Sequence, residues 1–188
     1  GADLVGVVDR DQERRNGIVE QYGGKGFETV DELIAHGVDA VTIATPTIHH
    51  RAVAEKLLAA GVACLIEKPL APDVRDAQAI ADAAAASGAI LQVGHVVRFD
   101  PVMVAIRKLD LKPLFVEVDR VSPMTFRSVD VGVVLDMMIH DIDVLLMLMG
   151  GREPDDVQAT GVAVITEHED ICNARLTWNL ATGLCVAN

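Results

Sequence analysis

Four short runs of apolar residues in the first half of the chain each end at a polar or charged group. The runs cover residues 5–8, 41–44, 63–66 and 90–93, and they are followed by Asp9, Thr45, Glu67-Lys68 and Gly94-His95. Each run has the length of a buried parallel strand, and the segments between the runs have helical patterns. This alternation predicts a Rossmann-like α/β fold with a doubly wound parallel sheet. Because ligands bind beyond the carboxyl ends of the strands in such sheets, the run ends predict one edge that carries the site.

The segments between the runs predict helices over residues 10–22, 29–35, 50–60 and 73–87, with a glycine-rich turn at residues 23–26. Thr29 is a suitable N-cap for the second of these helices. Glycines follow the ends of the third and fourth helices, as helix C-termini favour.

After about residue 95 the pattern changes. In residues 114–121, apolar and charged side chains alternate, which is typical of a strand with one solvated face. Helices are predicted at residues 101–109 and 133–149, and further strands at 157–166, 171–178 and 183–186. The sequence therefore predicts a dinucleotide-binding domain over residues 1–95 and an α+β domain over 96–188 with a mainly antiparallel sheet. Because residue 188 falls within a strand-like pattern, this second domain is expected to be incomplete.

Composition excludes two classes of partner. The chain has 188 residues and a formal net charge of −12, and it has no run of Lys or Arg, so nucleic acid and anionic membrane surfaces are disfavoured. With 51% hydrophobic residues it can bury a core.

Three further features predict a cytoplasmic protein. The three cysteines, each inside an apolar stretch, predict buried, reduced thiols. No basic region of a signal peptide begins the sequence. The apolar residues 131–150 contain four ionisable groups, too many for a membrane span.

Lys68 is the first candidate for chemistry. It lies between an apolar strand and Pro69, so a partly desolvated ammonium at the sheet edge can meet negative charge that develops on a substrate oxygen. An exposed structural lysine is the alternative.

Asp136 and His140 support the chemical interpretation. They are spaced i,i+4 on an apolar helix and therefore share a face, which Asp143 continues. An imidazole can accept a hydroxyl proton at neutral pH, and a carboxylate can orient it or bind the substrate. A satisfied core histidine and a metal site are the alternatives, although three such residues are weak evidence for a metal.

Other candidates lie at the remaining run ends. Asp9 suits the ribose hydroxyls of a dinucleotide, or a helix cap, and Arg10 leaves NADP possible. The turn Thr45-Pro46-Thr47 and His50 serve either ligand contact or structural capping. His95 and Arg98 follow the fourth run, and a cationic side chain there suits an anionic substrate group. An Arg98–Asp100 ion pair is the alternative.

Four blocks of residues then identify a family resemblance. They are Ala44-Thr45-Pro46-Thr47-x-x-His50, Glu67-Lys68-Pro69-Leu70, Val93-Gly94-His95-x-x-Arg98-Phe99-x-Pro101 and Asp136-x-x-x-His140-Asp141-x-Asp143. Their order and spacing resemble the Gfo/Idh/MocA oxidoreductases. The resemblance covers about residues 9–143. It implies a nicotinamide cofactor, NAD with NADP not excluded, and a sugar or cyclitol substrate. Arg98-Phe99-Asp100-Pro101 and residues 120–128 are similar to family members that act on nucleotide sugars.

The resemblance also implies roles for individual residues. Lys68 would be the catalytic lysine, His140 would transfer the proton, and Asp136 would orient the substrate. The implied cofactor-binding residues are Asp9, Arg10, Thr45, Pro46, His50, Glu67 and Lys68. The implied substrate-binding residues are His95, Arg98, Asp136 and His140. The resemblance implies no metal. It implies a homodimer or homotetramer that forms through the second sheet.

One family feature is missing from the sequence. No G-x-G-x-x-G occurs, and the glycines of residues 23–26 follow a predicted helix rather than a strand. The family's first βα unit, which supplies the pyrophosphate site at a helix N-terminus, is therefore expected to be absent upstream of Gly1, and weak NAD binding is expected. A non-catalytic module that binds a sugar or assembles with partner chains is the alternative function, and a metal hydrolase is a third.

Overall fold

The computed structural model describes residues 1–122, 131–179 and 181–187 of the chain. The chain divides into two compact units, Gly1–Gly94 and His95–Asn188. The boundary lies one residue before the position predicted from the sequence. Within the described residues, no helix is both long enough and apolar enough to cross a membrane.

The first unit alternates strands and helices, and it contains the predicted elements together with one strand that was not predicted. Its elements are β1 (Gly6–Val8), α1 (Gln12–Tyr22), β2 (Lys25–Phe27), α2 (Val30–His36), β3 (Ala40–Ile43), α3 (His50–Ala59), β4 (Ala63–Ile66), α4 (Val74–Ser87) and β5 (Leu91–Val93). All strand pairs in this unit are parallel, which confirms the predicted α/β class. The strands form two sheets, however, of order β1-β2 and β3-β4-β5, rather than one.

Strand β2 was missing from the sequence prediction, which assigned its first two residues to a glycine-rich turn. The chain does turn at Gly23 and Gly24, both at φ 82°, and then pairs immediately with β1. Asp9 N donates to Phe27 O, and Lys25 N donates to Val5 O. Three residues without an apolar alternation give no strand signal, so this strand depends on its partner for its conformation.

Side-chain caps set the starts of three helices in this unit. The carboxylates of Asp11 and Asp73 and the hydroxyl of Thr29 accept hydrogen bonds from backbone N–H groups three residues later. These bonds satisfy donors that the first turn of a helix leaves free. The predicted cap at Thr29 is therefore confirmed.

The core of the first unit lies between the β3-β4-β5 sheet and the helices α3 and α4. Ile43 and Ile66 contribute from the sheet, Leu57 from α3 and Ile80 from α4, and all four are at most 2% exposed. Cys64 belongs to the same core, and burial raises the pKa of its thiol to about 11. All three cysteines are free and buried, as the sequence predicted.

The second unit combines helices with a four-stranded sheet. Its elements are α5 (Pro101–Arg107), β6 (Phe115–Arg120), a π-helical turn (Val134–Met138), α6 (Ile139–Leu148), β7 (Asp156–Val162), β8 (Ile171–Trp178) and β9 (Ala181–Ala187). The strand order is β6-β9-β8-β7. Two pairs are antiparallel, as predicted, but β6 and β9 are parallel. A parallel neighbour so distant in sequence requires a long crossover, which residue patterns within one strand do not reveal.

Leu145 of α6 packs on one face of this sheet. Along β8 the residues alternate between exposed and buried, and Cys172, Ala174, Leu176 and Trp178 form the buried set. On β9, Gly183 leaves room for Leu145, because a Cβ atom there would lie 2.6 Å from Leu145 Cδ1. The helix therefore packs closely against the sheet at a glycine.

Gly183→Ala is expected to lower the free energy of unfolding by about 1–3 kcal/mol, the usual cost of overpacking a filled core. Leu145 is fully buried, so it has no open space to enter. Urea denaturation measures the change. Gly17→Ala is the matched control, because a Cβ atom added to Gly17 in α1 would meet no heavy atom within 4 Å other than those of its chain neighbours and its own helix backbone. The control is expected to be neutral or stabilising, and an equal loss in both variants would contradict the packing argument.

Asp170 organises the loop between β7 and β8. Its Oδ2 accepts hydrogen bonds from the backbone N–H groups of Val164, Ile165 and Thr166 at 2.6–3.0 Å. These bonds favour the carboxylate and hold its pKa well below the usual range for aspartate.

Because the folded-state pKa of Asp170 is lowered, its stabilising contribution is present above the ordinary aspartate pKa. It is lost as the pH falls through the lower folded value. We expect the amide NMR signals of residues 164–166 to titrate below the ordinary aspartate range, and to lose that transition in Asp170→Asn. A transition at the ordinary value would contradict this account.

Candidate active site

The carboxyl ends of β3, β4 and β5 lie on one edge of their sheet. The parallel register pairs Ile43 with Ile66 and Ile66 with Val93, so the segments that follow these residues leave the sheet side by side. Thr45, Lys68 and Gly94 are in those segments. Asp9 follows β1, which belongs to the other sheet of the first unit.

Backbone contacts join these segments at the sheet edge. Glu67 N donates to Ile43 O at 2.9 Å, and Gly94 N donates to Ile66 O at 2.7 Å. The Glu67 carboxylate lies against Gly94, because a Cβ atom on Gly94 would be only 3.2 Å from Glu67 Oε2. The absence of a side chain at Gly94 thus leaves room for the close approach of the Glu67 segment.

Lys68 is half-buried between exposed Glu67 and buried Pro69. The Lys68-Pro69 peptide bond is cis. Lys68 thus lies at the sheet edge and is partly removed from solvent, and its chemical role stays a prediction.

His50 is buried beneath the same edge, at 1% exposure. Its Nε2 lies 2.9 Å from Thr45 O, and its Nδ1 lies 3.1 Å from Pro69 O and 3.2 Å from Leu70 O. The ring is therefore directed at the Thr45 turn, as expected. Both ring nitrogens contact backbone carbonyls of the protein, and these contacts match the structural alternative weighed for this residue. Its place beside a cofactor stays a prediction.

Asp9 is held by two contacts at the end of β1, whereas Arg10 is exposed. Asp9 Oδ1 accepts a hydrogen bond from Asp11 N at 2.9 Å, and Oδ2 lies 3.5 Å from an Arg14 guanidinium nitrogen. The Asp9 carboxylate is therefore oriented at the end of β1 but still 28% exposed, which leaves it accessible to a ligand hydroxyl. Arg10 is exposed, as are Thr45 and Pro46.

Asp136 and His140 lie one turn apart in the second unit, and both are half-buried. Asp136 is within the π-helical turn, where Ile139 N donates to Val134 O, and His140 is in the first turn of α6. π-Helical turns are rare and frequently occur at functional sites. The predicted helix is present, but this wide turn was not foreseen, because it depends on backbone hydrogen bonds rather than on residue type.

Two arginine–aspartate pairs hold the start of α6. Arg98 binds both oxygens of Asp143, with Nε–Oδ2 at 2.7 Å and Nη2–Oδ1 at 2.5 Å. Arg120 binds both oxygens of Asp141 with two nitrogens, at 2.5–3.0 Å. The hydrogen bonds to aspartate raise the pKa of each arginine. Bidentate pairs of this kind fix geometry as well as charge.

These pairs bear on three sequence hypotheses. Arg98 contacts Asp143, whereas Asp100 caps α5 by accepting from Val102 N. The contact of Arg98 with an anionic substrate group remains a prediction. Asp143 is 5% exposed and uses both oxygens on Arg98, so it is a poor metal ligand. Among the described residues no group of three or more His, Cys, Asp or Glu side chains is arranged to hold a metal ion.

His95 lies near the Arg98–Asp143 pair. Its Nδ1 is buried, is 3.8 Å from Asp143 Oδ1, and has no hydrogen-bond partner in the described part of the chain. The substrate contact of His95 stays a prediction. Residues 123–128, which carry part of the similarity to nucleotide-sugar enzymes, lie outside the described residues.

The sequence prediction missed the pairing of Arg120 with Asp141. A signal was present, because Arg120 shares a strand face with Val116 and Val118, where a charged residue requires a partner. The identity of that partner depended on the approach of α6 to β6, which the sequence did not reveal.

Two family models match this chain, one in each of its two halves. Residues 1–95 match the family model described as an oxidoreductase family, NAD-binding Rossmann fold, and residues 116–187 match the GFO/IDH/MocA C-terminal domain. The fold and these matches place the chain in a family described as oxidoreductases, with a Rossmann-type first domain that the family model describes as NAD-binding. The chain belongs to the Gfo/Idh/MocA family, which confirms the resemblance seen in the sequence.

Individual relatives are similar over most of this chain. UDP-N-acetylglucosamine 3-dehydrogenase of Acidithiobacillus ferrooxidans is 41% identical over 180 residues, which are 95% of this chain and 57% of that protein. Its solved structure matches with a TM-score of 0.91 over 98% of this chain and 61% of that one. Inositol 2-dehydrogenase of Rhizobium meliloti is 33% identical over 87% of this chain and 52% of its own length.

A structure of GenD2 from gentamicin A biosynthesis, in complex with NAD, is 27% identical with a TM-score of 0.87, over 99% of this chain and 58% of that one. The chain thus spans between half and two thirds of the length of the relatives named here.

Proposed function

We propose that the chain forms part of an NAD(P)-dependent dehydrogenase that oxidises a secondary hydroxyl of a sugar, a cyclitol or, most specifically, a nucleotide sugar. The observation that carries the proposal is the position of Lys68, half-buried at the carboxyl edge of the sheet in a domain that matches an NAD-binding family. The 41% identity to UDP-N-acetylglucosamine 3-dehydrogenase supports the nucleotide-sugar assignment.

The residues present suit two parts of a nicotinamide dinucleotide. Asp9, oriented and partly exposed, would accept hydrogen bonds from the adenosine ribose. Its negative charge favours NAD over a 2′-phosphate, and exposed Arg10 leaves NADP possible. Thr45, Pro46 and Glu67 would contact the cofactor at the sheet edge. When bound, the nicotinamide accepts a hydride from the substrate carbon.

Lys68 would stabilise negative charge on the substrate oxygen. An ammonium at a partly desolvated edge interacts more strongly with a developing alkoxide than the same group does in water. The contacts of Glu67 and Gly94 with β3 and β4 hold the segment that carries Lys68, so the ammonium would need little reorganisation during the reaction.

His140 would remove the proton of the same hydroxyl, with Asp136 orienting the substrate or the ring. A histidine suits this step because its ordinary pKa is close to neutral pH. Asp136 and His140 occupy the π-helical turn and the following helical turn, so one rigid element carries both. His95 and Arg98 are proposed on the substrate side.

A second candidate function is a non-catalytic module that binds a sugar or assembles with other chains. The observation that favours it is the lack of G-x-G-x-x-G in the 188 residues, since that loop holds the pyrophosphate in Rossmann domains.

Isothermal titration with NADH separates the two candidates. The dehydrogenase proposal predicts saturable binding by the protein expressed from its complete open reading frame. It also predicts NADH formation with a nucleotide sugar or inositol as donor. Asp9→Asn is expected to weaken NADH binding, and Asp11→Asn, which removes a nearby carboxylate charge while asparagine can still cap α1, serves as the control. No binding and no turnover with any donor would favour the non-catalytic module.

We also propose that the protein is a homodimer or homotetramer through the sheet of the second unit. The face of this sheet away from α6 carries exposed apolar side chains, among them Phe115, Val162 and Ile171. Exposed apolar side chains on a sheet face are typical of association sites. Light scattering is expected to give a dimeric or tetrameric mass that falls to the monomer in Phe115→Lys/Ile171→Lys; a wild-type monomer would contradict the proposal.

A further inference from the structure

We propose that His50 is a positioning residue whose ring donates hydrogen bonds from both nitrogens at once. As an imidazolium it would tie the turn after β3 to the segment that follows Lys68. The charge state of the ring is independent of the reaction, whereas its effect on Lys68 rests on the proposed function.

The three hydrogen-bond partners of the His50 ring are all backbone carbonyl oxygens, which only accept. Nε2 faces Thr45 O at 2.9 Å, and Nδ1 faces Pro69 O and Leu70 O at 3.1 and 3.2 Å. A neutral imidazole has one N–H and one lone pair, so either tautomer would direct a lone pair at a carbonyl oxygen. Only the imidazolium, with two N–H groups, satisfies both sides.

Burial opposes this charge, because the ring is 1% exposed. Three carbonyl oxygens favour the charged form, since hydrogen bonds to a cation are stronger than bonds between neutral groups. The formal net charge of −12 acts in the same direction.

The hydrogen bonds of the His50 ring are made with backbone carbonyls and not with the charged residues of the neighbouring segments. These residues are His49 and Arg51 on the side of α3, Glu67 and Lys68 after β4, and Asp73 and Asp76 at the start of α4. Arg51 binds Glu55 and Asp76. The turn after β3 has no titratable residue between Thr45 and Ile48.

The two sides of the ring hold different segments of the sheet edge. Nε2 holds the Thr45 carbonyl at the end of β3. Nδ1 holds the carbonyls of Pro69 and Leu70, immediately after Lys68. Loss of the Nδ1 contacts would release the segment that carries Lys68, and loss of the Nε2 contact would release the Thr45 turn. Protonation of both nitrogens therefore fixes the two segments relative to each other.

Nitrogen-15 NMR of the imidazole rings at neutral pH tests the charge state directly. The His50 signals, assigned by their loss in His50→Asn, are expected at imidazolium positions for both nitrogens, with N–H protons slow to exchange. A single neutral tautomer, with one unprotonated nitrogen, would overturn the proposal. This measurement uses wild-type protein and does not depend on the folding of any variant.

Two substitutions separate the sides of the ring. An asparagine amide nitrogen takes approximately the place of Nδ1, and a glutamine amide nitrogen that of Nε2. We expect His50→Asn to shift the backbone amide signals of Thr45 and Thr47 and to leave those of Lys68 and Leu70 in place. His50→Gln is expected to do the reverse. His49→Asn, at the exposed neighbouring position, is the control. Equal perturbation of both segments in both variants would contradict the two-sided contact.

The consequence for catalysis is measured in the complete protein. His50→Gln is expected to lower kcat more than tenfold with the KM for the nucleotide sugar little changed, and His50→Asn less than threefold, because only the first releases the Lys68 segment. Equal losses would overturn the positioning role. If the wild-type protein shows no dehydrogenase activity while His50 has both imidazolium signals, the proposed function fails and the charge-state assignment stands.

Discussion

Lys68→Ala is expected to lower kcat by about 10²–10³-fold in the protein expressed from its complete open reading frame, the usual effect of removing one group that stabilises an oxyanion. The affinity for NADH is expected to change less than about threefold. The physical reason is that the ammonium would act on charge present only in the transition state, so its loss affects turnover rather than ground-state binding. Steady-state kinetics with NADH titration measures both quantities.

Lys56→Ala is the control for this experiment. Lys56 is an exposed lysine of α3 that binds Asp31 on the surface, so its removal changes the charge of the same domain without affecting the sheet edge. We expect its kcat to equal that of the wild type. If Lys68→Ala lowered NADH affinity as much as kcat, a simple role in cofactor binding would replace the catalytic one.

Arg120→Met is expected to lower the free energy of unfolding by about 2–4 kcal/mol, somewhat less than the cost of breaking a fully buried ion pair, because the Arg120 side chain is 39% exposed. The Asp141 side chain is only 2% exposed and binds Arg120 through both oxygens. Without the guanidinium, a carboxylate would be left in an apolar environment. Chemical denaturation followed by circular dichroism measures the loss.

Arg120→Met/Asp141→Leu is expected to recover most of that stability, because the double replacement leaves no uncompensated charge. Lys56→Ala again supplies the comparison, since an exposed ion pair contributes about 0–1 kcal/mol. A single and a double variant of equal stability would contradict the explanation by an unpaired buried charge.

For β4 and β8 the sequence predicted the same first and last residues that the structure shows. β4 follows Gly61 and ends at Glu67-Lys68-Pro69, and β8 alternates buried and exposed residues along its whole length. In both strands the local pattern and the tertiary environment favour the same conformation, so the sequence alone is sufficient. Helix α4 was found for the same reason, between a capping aspartate and Gly88.

The features that were missed depend on partners distant in the sequence. β2 has three residues and no periodicity, and it exists because β1 lies beside it. The parallel pairing of β6 with β9 and the division of the first unit into two sheets are likewise properties of the assembled chain. No pattern within a single segment contains this information.

The candidate site shows the same division. Lys68, Asp136 and His140 were predicted because their residue types, spacing and family resemblance all agreed. The partners of Arg98 and Arg120 were not predicted, because an ion pair between sequence-distant residues requires the packed structure. The three carbonyls around His50 left no signal at all, since every residue carries a backbone carbonyl.

The central claim is that Lys68 and His140 act on the same substrate hydroxyl. The most direct test compares kcat for Lys68→Ala, His140→Ala and the double variant in the complete protein. Groups that act as a unit give non-additive losses, so the account predicts a double variant about as slow as the slower single variant. Losses that multiply, or a His140→Ala variant with wild-type turnover, would contradict it.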